Sequence, residues 1–137
     1  MKVRKKRYLQ KIAELEGRID FMEENLGDEE EFLEERLKRK GIYKEFQEAA
    51  EILADIAAMI VRDHERVVED DYSNFETACR ILKRGEMLDP LKKINGLRNI
   101  LVHEYNGIVD ELAYESINEH LPKMKDFSEC IKEWIKS

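Results

Sequence analysis

The sequence predicts an all-α fold: an up-and-down four-helix bundle with one additional short helix. Three observations carry this expectation. Apolar residues recur at spacings of three and four over long stretches, no segment alternates apolar and polar residues as a half-buried strand would, and only two prolines and six glycines interrupt 137 residues. The length suits a single domain, 1–137, with room for one real core. Apolar residues make up 42% and charged residues 40% of the chain, too much apolar content for disorder and more charge than most globular domains carry. The abundance of Glu, Lys and Arg beside only two glutamines is a composition resembling proteins from hot environments.

In order along the chain, residues 3–25 carry Tyr8, Ile12, Leu15, Ile19 and Met22 on one helical stripe. Gly27 is expected to end that helix and Asp28 to cap the next. Glu29, Glu30 and Glu31 suit the start of this next helix, and Lys38, Arg39 and Lys40 suit its C-terminal side, because the macrodipole favours anions at one end and cations at the other. A second long helix is expected over about 42–62, burying Phe46, Ala49, Ala50, Leu53, Ile56, Ala57 and Ile60. Residues 63–71 read as a connector. Ser73 and Glu76 form a capping-box pattern that opens a short helix ending near Gly85. Asp89 and Pro90 offer a cap and a first-position proline for a fourth helix running to about His103. After Asn106-Gly107, Asp110 is expected to cap a final stretch kinked or broken at Pro122, whose later part buries Phe127, Ile131, Trp134 and Ile135. No internal repeat is present.

A net charge of −7 argues against generic, charge-driven binding to nucleic acid. The cations are unevenly placed, however. Residues 2–11 hold Lys2, Arg4, Lys5, Lys6, Arg7 and Lys11 without an acid, and Lys83, Arg84, Lys92, Lys93 and Arg98 form a second group. Acids concentrate at 28–35 and 63–71. Each run alone is most simply a solvated helix face. The charged N-terminus has no apolar run behind it, so no signal peptide is expected. No stretch approaches the ~18 uninterrupted apolar residues of a membrane span. Cys79 and Cys130 lack metal-site spacing and read as reduced thiols, which points to the cytoplasm.

One segment carries chemistry. With 91–106 taken as a helix at about 100° per residue and Arg98 at zero, Ile94, Leu97, Ile100 and Leu101 fall between about 200° and 320°, the expected core face. Asn95, Asn99, His103 and Asn106 form a polar stripe at about 60° to 140°, and Tyr105 returns almost onto Arg98. Gly96 removes bulk beside that stripe, as close packing of a second helix would require. A lone Arg or His here would be an ordinary surface residue. The grouping is different, because every polar residue of this helix end is a type that binds anions or moves protons, and none is the Lys or Glu that solvates the other faces.

Arg98, Asn99, His103 and Tyr105, in the pattern R-x4-H-x-Y, resemble the signature of HEPN-domain ribonucleases. The Gly-Leu-Arg-Asn run and the Val-His-Glu-Tyr run, with 96–105 as the specific part, are similar to the HepT toxins of MNT–HEPN toxin–antitoxin pairs. The resemblance extends over essentially the whole chain in length and helix order. It implies a HEPN-like bundle, a cytoplasmic toxin and an RNA endonuclease that needs no metal or cofactor. It also implies a homodimer with a composite cleft and an MNT-type nucleotidyltransferase antitoxin that adds AMP to Tyr105. A bulky anionic adduct beside Arg98 would occupy the site and neutralise the cation.

The residues suit that chemistry. RNA carries its own nucleophile, the 2′-OH. Imidazole titrates near neutrality, so His103 suits proton transfer. A guanidinium keeps its charge and binds two oxygens, so Arg98 suits the phosphate. Asn99, four residues before His103, is assigned a positioning role, and Tyr105 a phosphate-binding one. Arg98 and His103 lie ~140° apart on an ideal helix, so one straight helix does not aim both at one point. Either the helix unwinds near His103 or two protomers bring their motif helices together; the resemblance implies the second.

Other signals are weaker. Di-iron bundles need Glu-x-x-His pairs, and Val61, Ile100 and Ile117 stand three residues before the histidines. His64 and His120 are expected on the surface. Glu51 and Asp55 are expected to face solvent or pair with a neighbouring base. The competing function is a non-catalytic HEPN-like binding partner of a minimal nucleotidyltransferase, and a purely structural bundle would leave the polar stripe without a purpose.

Overall fold

The computed structural model describes residues 4–103 and 107–137. Among the described residues six helices follow one another: α1 (Lys5–Asn25), α2 (Glu29–Glu34), α3 (Arg36–Asp63), α4 (Asp71–Leu82), α5 (Leu88–His103) and α6 (Asp110–Lys136), with a 3-10 turn at Gly85–Met87 before α5. The expected all-α bundle is the observed fold. The long α3 lies at its centre, touching α1, α2, α4 and α5, while α6 closes the other side against α1, α2 and α5. Among the described residues no helix is long and apolar enough to cross a membrane.

The five apolar stripe residues of α1 are all buried. Its start is fastened to the end of α3, where Asp63 accepts from the Tyr8 hydroxyl at 2.7 Å and pairs with Arg4 at 3.0 Å. Burial first, and Asp63 second, push the Tyr8 phenol far above its ordinary value. Gly27 adopts a φ of +64°, and an added Cβ would run into the Glu31 carboxylate. The turn therefore needs glycine. Asp28 caps α2 as expected, accepting from the Glu31 N–H at 2.8 Å.

The next boundary differs from the expectation. The break falls at Glu35, and α3 runs unbroken through Gly41, so Lys38, Arg39 and Lys40 open α3 rather than close α2. The reason lies in the carbonyls. Arg39 donates back to the carbonyl oxygens of Phe32 at 3.3 Å and Leu33 at 2.7 Å. It thus satisfies the frayed end of α2 from the following helix.

Three further helix starts are also shifted. Asp70, not Ser73, caps α4 by accepting from the Ser73 N–H at 2.8 Å, and that bond holds its carboxyl below the usual carboxylate range. Leu88 rather than Pro90 opens α5; Pro90 still lies in the first turn, where a missing N–H costs nothing. Val109 precedes α6, and Asp110 is its first residue rather than its cap. The Asp110 carboxylate instead accepts from Tyr43 at 2.5 Å and lies 3.5 Å from Arg39.

Pro122 neither breaks nor ends α6. An interior proline costs about 3 kcal/mol or more, but Ile117, Leu121, Met124, Phe127 and Ile131 form a buried face on both sides of it. Each fully buried side chain of this kind contributes roughly 1.5–3 kcal/mol, so the face outweighs the lost hydrogen bond. Trp134, expected in the core, is only partly buried, edge-on to Tyr8 and stacked on His64. Two of the expected surface residues also lie deeper. His120 is 4% exposed and donates to the Ser116 carbonyl, and the half-buried His64 donates to the Ile60 carbonyl.

Asn74 is buried and clamps the connector onto α4, accepting from the Glu69 N–H at 2.9 Å and donating to the Glu69 carbonyl at 3.1 Å. Asn74→Ala strands both backbone groups, so stability should fall by about 1–3 kcal/mol. Denaturant titration checks this; a change below about 0.5 kcal/mol would mean that the clamp is not holding the connector.

Candidate active site

The core face of α5 decides how the site is built. Leu91, Ile94, Asn95, Leu97 and Leu101 are buried, whereas Ile100 is 39% exposed. The buried arc therefore runs from about 260° through zero to about 60°, turned about 80° from the expected sector. Two assignments are corrected by this: Ile100 lies outside the core, and Asn95 leaves the polar stripe for the interior. The cause is α3, which packs on the Arg98 side of α5 and draws that side inward.

Arg98 consequently sits within the packed arc. Its Nη2 donates to Glu51 Oε1 on α3 at 3.3 Å, and its Nη1 donates to Asn99 Oδ1 at 2.9 Å. Its Nε is buried with no hydrogen-bond partner among the described residues. A half-desolvated guanidinium requires a counter-charge, and Glu51 supplies it. Gln47, one turn earlier on α3, donates to the same Glu51 oxygen at 3.5 Å. Three of the five Arg98 N–H groups remain uncommitted by these bonds. Glu51 thus pairs with a neighbouring base, as expected, and Asp55 does the same with Lys11 at 3.1 Å.

Asn99 is half-buried and turns its carbonyl oxygen to Arg98. His103 is the last residue of α5 and is exposed. No hydrogen bond joins Arg98 to His103; the first faces α3 and the second lies exposed at the helix end. Tyr105, the remaining site residue expected from sequence, lies outside the described residues. Among the described residues no group of His, Cys, Asp or Glu is arranged to hold a metal ion.

Two grooves flank the end of α5. One, of about 440 Å³, lies between α5 and α6 and is mainly apolar, with Gly96, Leu97, Ile100, Val109, Leu112 and the buried His120 on its walls. The other, of about 460 Å³, runs beside α3 and is basic, with Arg36, Arg39, Lys40, Tyr43 and Lys44 facing Leu101 and Val102. Sequence reasoning missed this second wall. Its signal is the four-residue spacing of Arg36, Lys40 and Lys44, which becomes legible only when the helix is carried through Gly41. Of the basic groups singled out from sequence, Arg4 is engaged by Asp63, Lys92 by Glu76 and Lys93 by Asp89.

An arginine held in the packed arc of a helix, with asparagine beside it and a histidine ending the same helix, places this bundle in the HEPN class. The chain matches the family model described as Ribonuclease HepT-like over residues 6–131, and it belongs to that family. A protein of Archaeoglobus fulgidus, provisionally named an RNase, is 36% identical over 118 residues, covering 85% of this chain and 84% of its own. The mRNA nuclease HepT of Shewanella oneidensis is 27% identical over 126 residues, covering 90% of this chain and 95% of its own. Among solved structures, a toxin–antitoxin with AMP-PNP superposes with a TM-score of 0.83 at 26% identity, over 92% of this chain and 97% of the other. The tri-AMPylated Shewanella oneidensis HEPN toxin in complex with its MNT antitoxin gives 0.83 at 26% identity, over 92% and 96%.

The Glu51 side chain is 42% exposed, so its ion pair with Arg98 is worth at most about 1 kcal/mol to global stability. Glu51→Gln should leave the unfolding midpoint nearly unchanged while shifting and broadening the Arg98 Nε–H resonance in ¹⁵N spectra. A loss of several kcal/mol would show instead that the pair behaves as a buried one.

Proposed function

We propose that this chain is the toxin of a toxin–antitoxin pair and cuts RNA without a metal ion. Arg98 and His103 are its catalytic residues, Asn99 positions Arg98, and Tyr105 assists at the phosphate. The observation that carries this reading is the hold on Arg98. The fold uses a carboxylate and a carboxamide to fix one partly buried guanidinium that still has uncommitted N–H groups. Arg18 is also held by carboxylates, but it has no asparagine or histidine of the motif beside it.

His103 takes the proton of the ribose 2′-OH as that oxygen forms a bond to phosphorus. The bond from phosphorus to the 5′ oxygen breaks, the departing oxygen takes a proton from water, and His103 returns its own to the solvent. The products are a 2′,3′-cyclic phosphate and a 5′-hydroxyl. Arg98 faces the non-bridging oxygens, where charge builds up in the transition state. Its two engaged N–H groups fix the plane of the fork before substrate arrives.

A homodimer supplies the missing geometry. Ile100 is 39%, Val109 50% and Leu112 62% exposed around the apolar groove, an exposed patch of the kind that marks an interface. Gly96 lines the same groove, so a second motif helix could approach closely there. Across a twofold axis, Arg98 of one protomer then meets His103 of the other.

Growth arrest and RNA cleavage should appear with the wild type and disappear with Arg98→Ala and with His103→Ala, and cleavage should persist in chelator. If all three proteins are equally harmless and purified dimer cuts nothing, the chain is a binding module for its partner. Mixing the two inactive variants tests the shared site. Random exchange makes half the dimers mixed, each with one intact site, so about a quarter of wild-type cleavage should return. No recovery, with exchange verified by mass spectrometry, would place both residues of a site in one protomer.

The partner on this reading is an MNT-type nucleotidyltransferase that transfers AMP to Tyr105, as the related tri-AMPylated toxin leads one to look for. Incubation with that partner and ATP should add adenylyl mass to the wild type and none at this position in Tyr105→Phe. Unmodified Tyr105 in a protein nonetheless silenced by the partner would mean that restraint is steric.

A further inference from the structure

The basic groove beside α3 is not accounted for by the cleavage chemistry. Arg36, Lys40 and Lys44 are exposed and stand four residues apart on one helix. Successive cations are therefore separated by about 6 Å along the axis, comparable to the step between phosphates on a nucleic-acid strand. The row points at the candidate site. Gln47 continues the same groove and hydrogen-bonds Glu51, whose same oxygen takes the Arg98 guanidinium. From Arg36 to Glu51 the helix rise amounts to about 22 Å, a length of several nucleotides.

Among the described residues the charge in this groove is not cancelled within it. Asp110 is its one acid among the described residues, and that carboxylate is taken by Tyr43 and Arg39. Lys44 lies 3.4 Å from Glu48, a carboxylate also paired with Arg18. Against an overall charge of −7, three exposed cations in a row leading to a fixed guanidinium are a local inversion of sign.

We infer that Arg36, Lys40 and Lys44 form a track for the sugar–phosphate backbone of single-stranded RNA, delivering the strand to Arg98. This rests on the RNA-cleaving reading of the site. Backbone contacts of this kind position the strand without reading its sequence, so the track sets affinity and register rather than cleavage preference. An acidic protein surface would also be attracted to three cations. It would have no need for their even spacing or for a row that ends at the proposed phosphate-binding arginine, which favours the nucleic-acid strand.

The test measures binding of a fluorescent single-stranded 2′-O-methyl oligoribonucleotide, which offers no 2′-OH to attack, by anisotropy across a salt series. The full-length wild type is compared with Arg36→Gln/Lys40→Gln/Lys44→Gln and with a control, Lys5→Gln/Lys6→Gln/Lys123→Gln. The control changes exposed lysines on α1 and α6 to reach the same net charge. Each phosphate contact contributes about 0.7 to the log–log salt slope for single strands. The track variant should therefore lose about 2 from that slope and bind at least about tenfold more weakly at low salt, while the control retains the wild-type slope. Equal slopes for both variants, with a wild type that cuts RNA, would overturn the track and leave the cleavage reading intact. A track variant that keeps RNA binding but no longer binds the antitoxin would also overturn it, reassigning the row to protein contact. A wild type that neither binds nor cuts RNA would overturn both readings together.

Discussion

The structure depends on the burial of α3. This 28-residue helix is surrounded by four others and buries Ile42, Phe46, Leu53, Ile56 and Ile60 along its length, with Ala49, Ala50 and Ala57 between them. The alanines keep side chains short where neighbours approach, and the larger residues fill the space between them, as close packing requires. A helix fixed in this way can be relied on for geometry. Glu51 and Gln47 are carried on its rigid backbone, so the Arg98 guanidinium is referenced to the most constrained element of the fold rather than to a loop.

The distribution of ion pairs follows from the same arrangement. With 40% charged residues, carboxylates are within reach of many cations. Arg18 meets Glu45 and Glu48, Lys132 meets Glu16, and Lys92 meets Glu76. Exposed pairs of this type contribute little to stability. Their larger effect is to flatten the surface potential, so cations that share one groove and have no carboxylate partner among the described residues add up. Arg36 and Lys40 at the start of α3 are of that kind, and they lie there because the chain breaks at Glu35 rather than near Gly41. A boundary shift of a few residues thus moves Arg39 and Lys40 from one helix terminus onto a groove wall.

Much of the fold was legible in the sequence because a periodic apolar stripe is a cumulative signal. The α1 stripe and the buried face of α3 are each supported by five or more residues, and the late half of α6 by four. Boundaries rest on one or two residues, and there competing groups decided. Asp70 lay one residue ahead of the helix and captured the cap expected of Ser73. Tyr43 and Arg39 drew Asp110 away from capping, and the flanking apolar face kept Pro122 helical. For the site, residue types and spacing marked Arg98, Asn99 and His103. The partners of Arg98 were not visible, because Glu51 is 47 residues away in sequence and only packing brings them together.

The rotation of α5 links features that look separate. On a helix with one amphipathic face, burying Arg98 against α3 necessarily turns the residues at about 200° outward. Ile100 is the residue at that position, and it emerges into the groove with α6. An isoleucine exposed for this reason cannot be returned to the core without withdrawing Arg98 from Glu51. The apolar patch and the fixed guanidinium are two consequences of one packing choice. On the dimer reading this is economical. A helix that offered all its apolar residues to its own bundle would leave Arg98 loose in solvent and nothing to draw a second copy towards it. Turning the helix by about 80° fixes the Arg98 guanidinium and exposes the apolar patch in a single step. Association and catalysis would then be selected together at Arg98, rather than as independent properties of two surfaces.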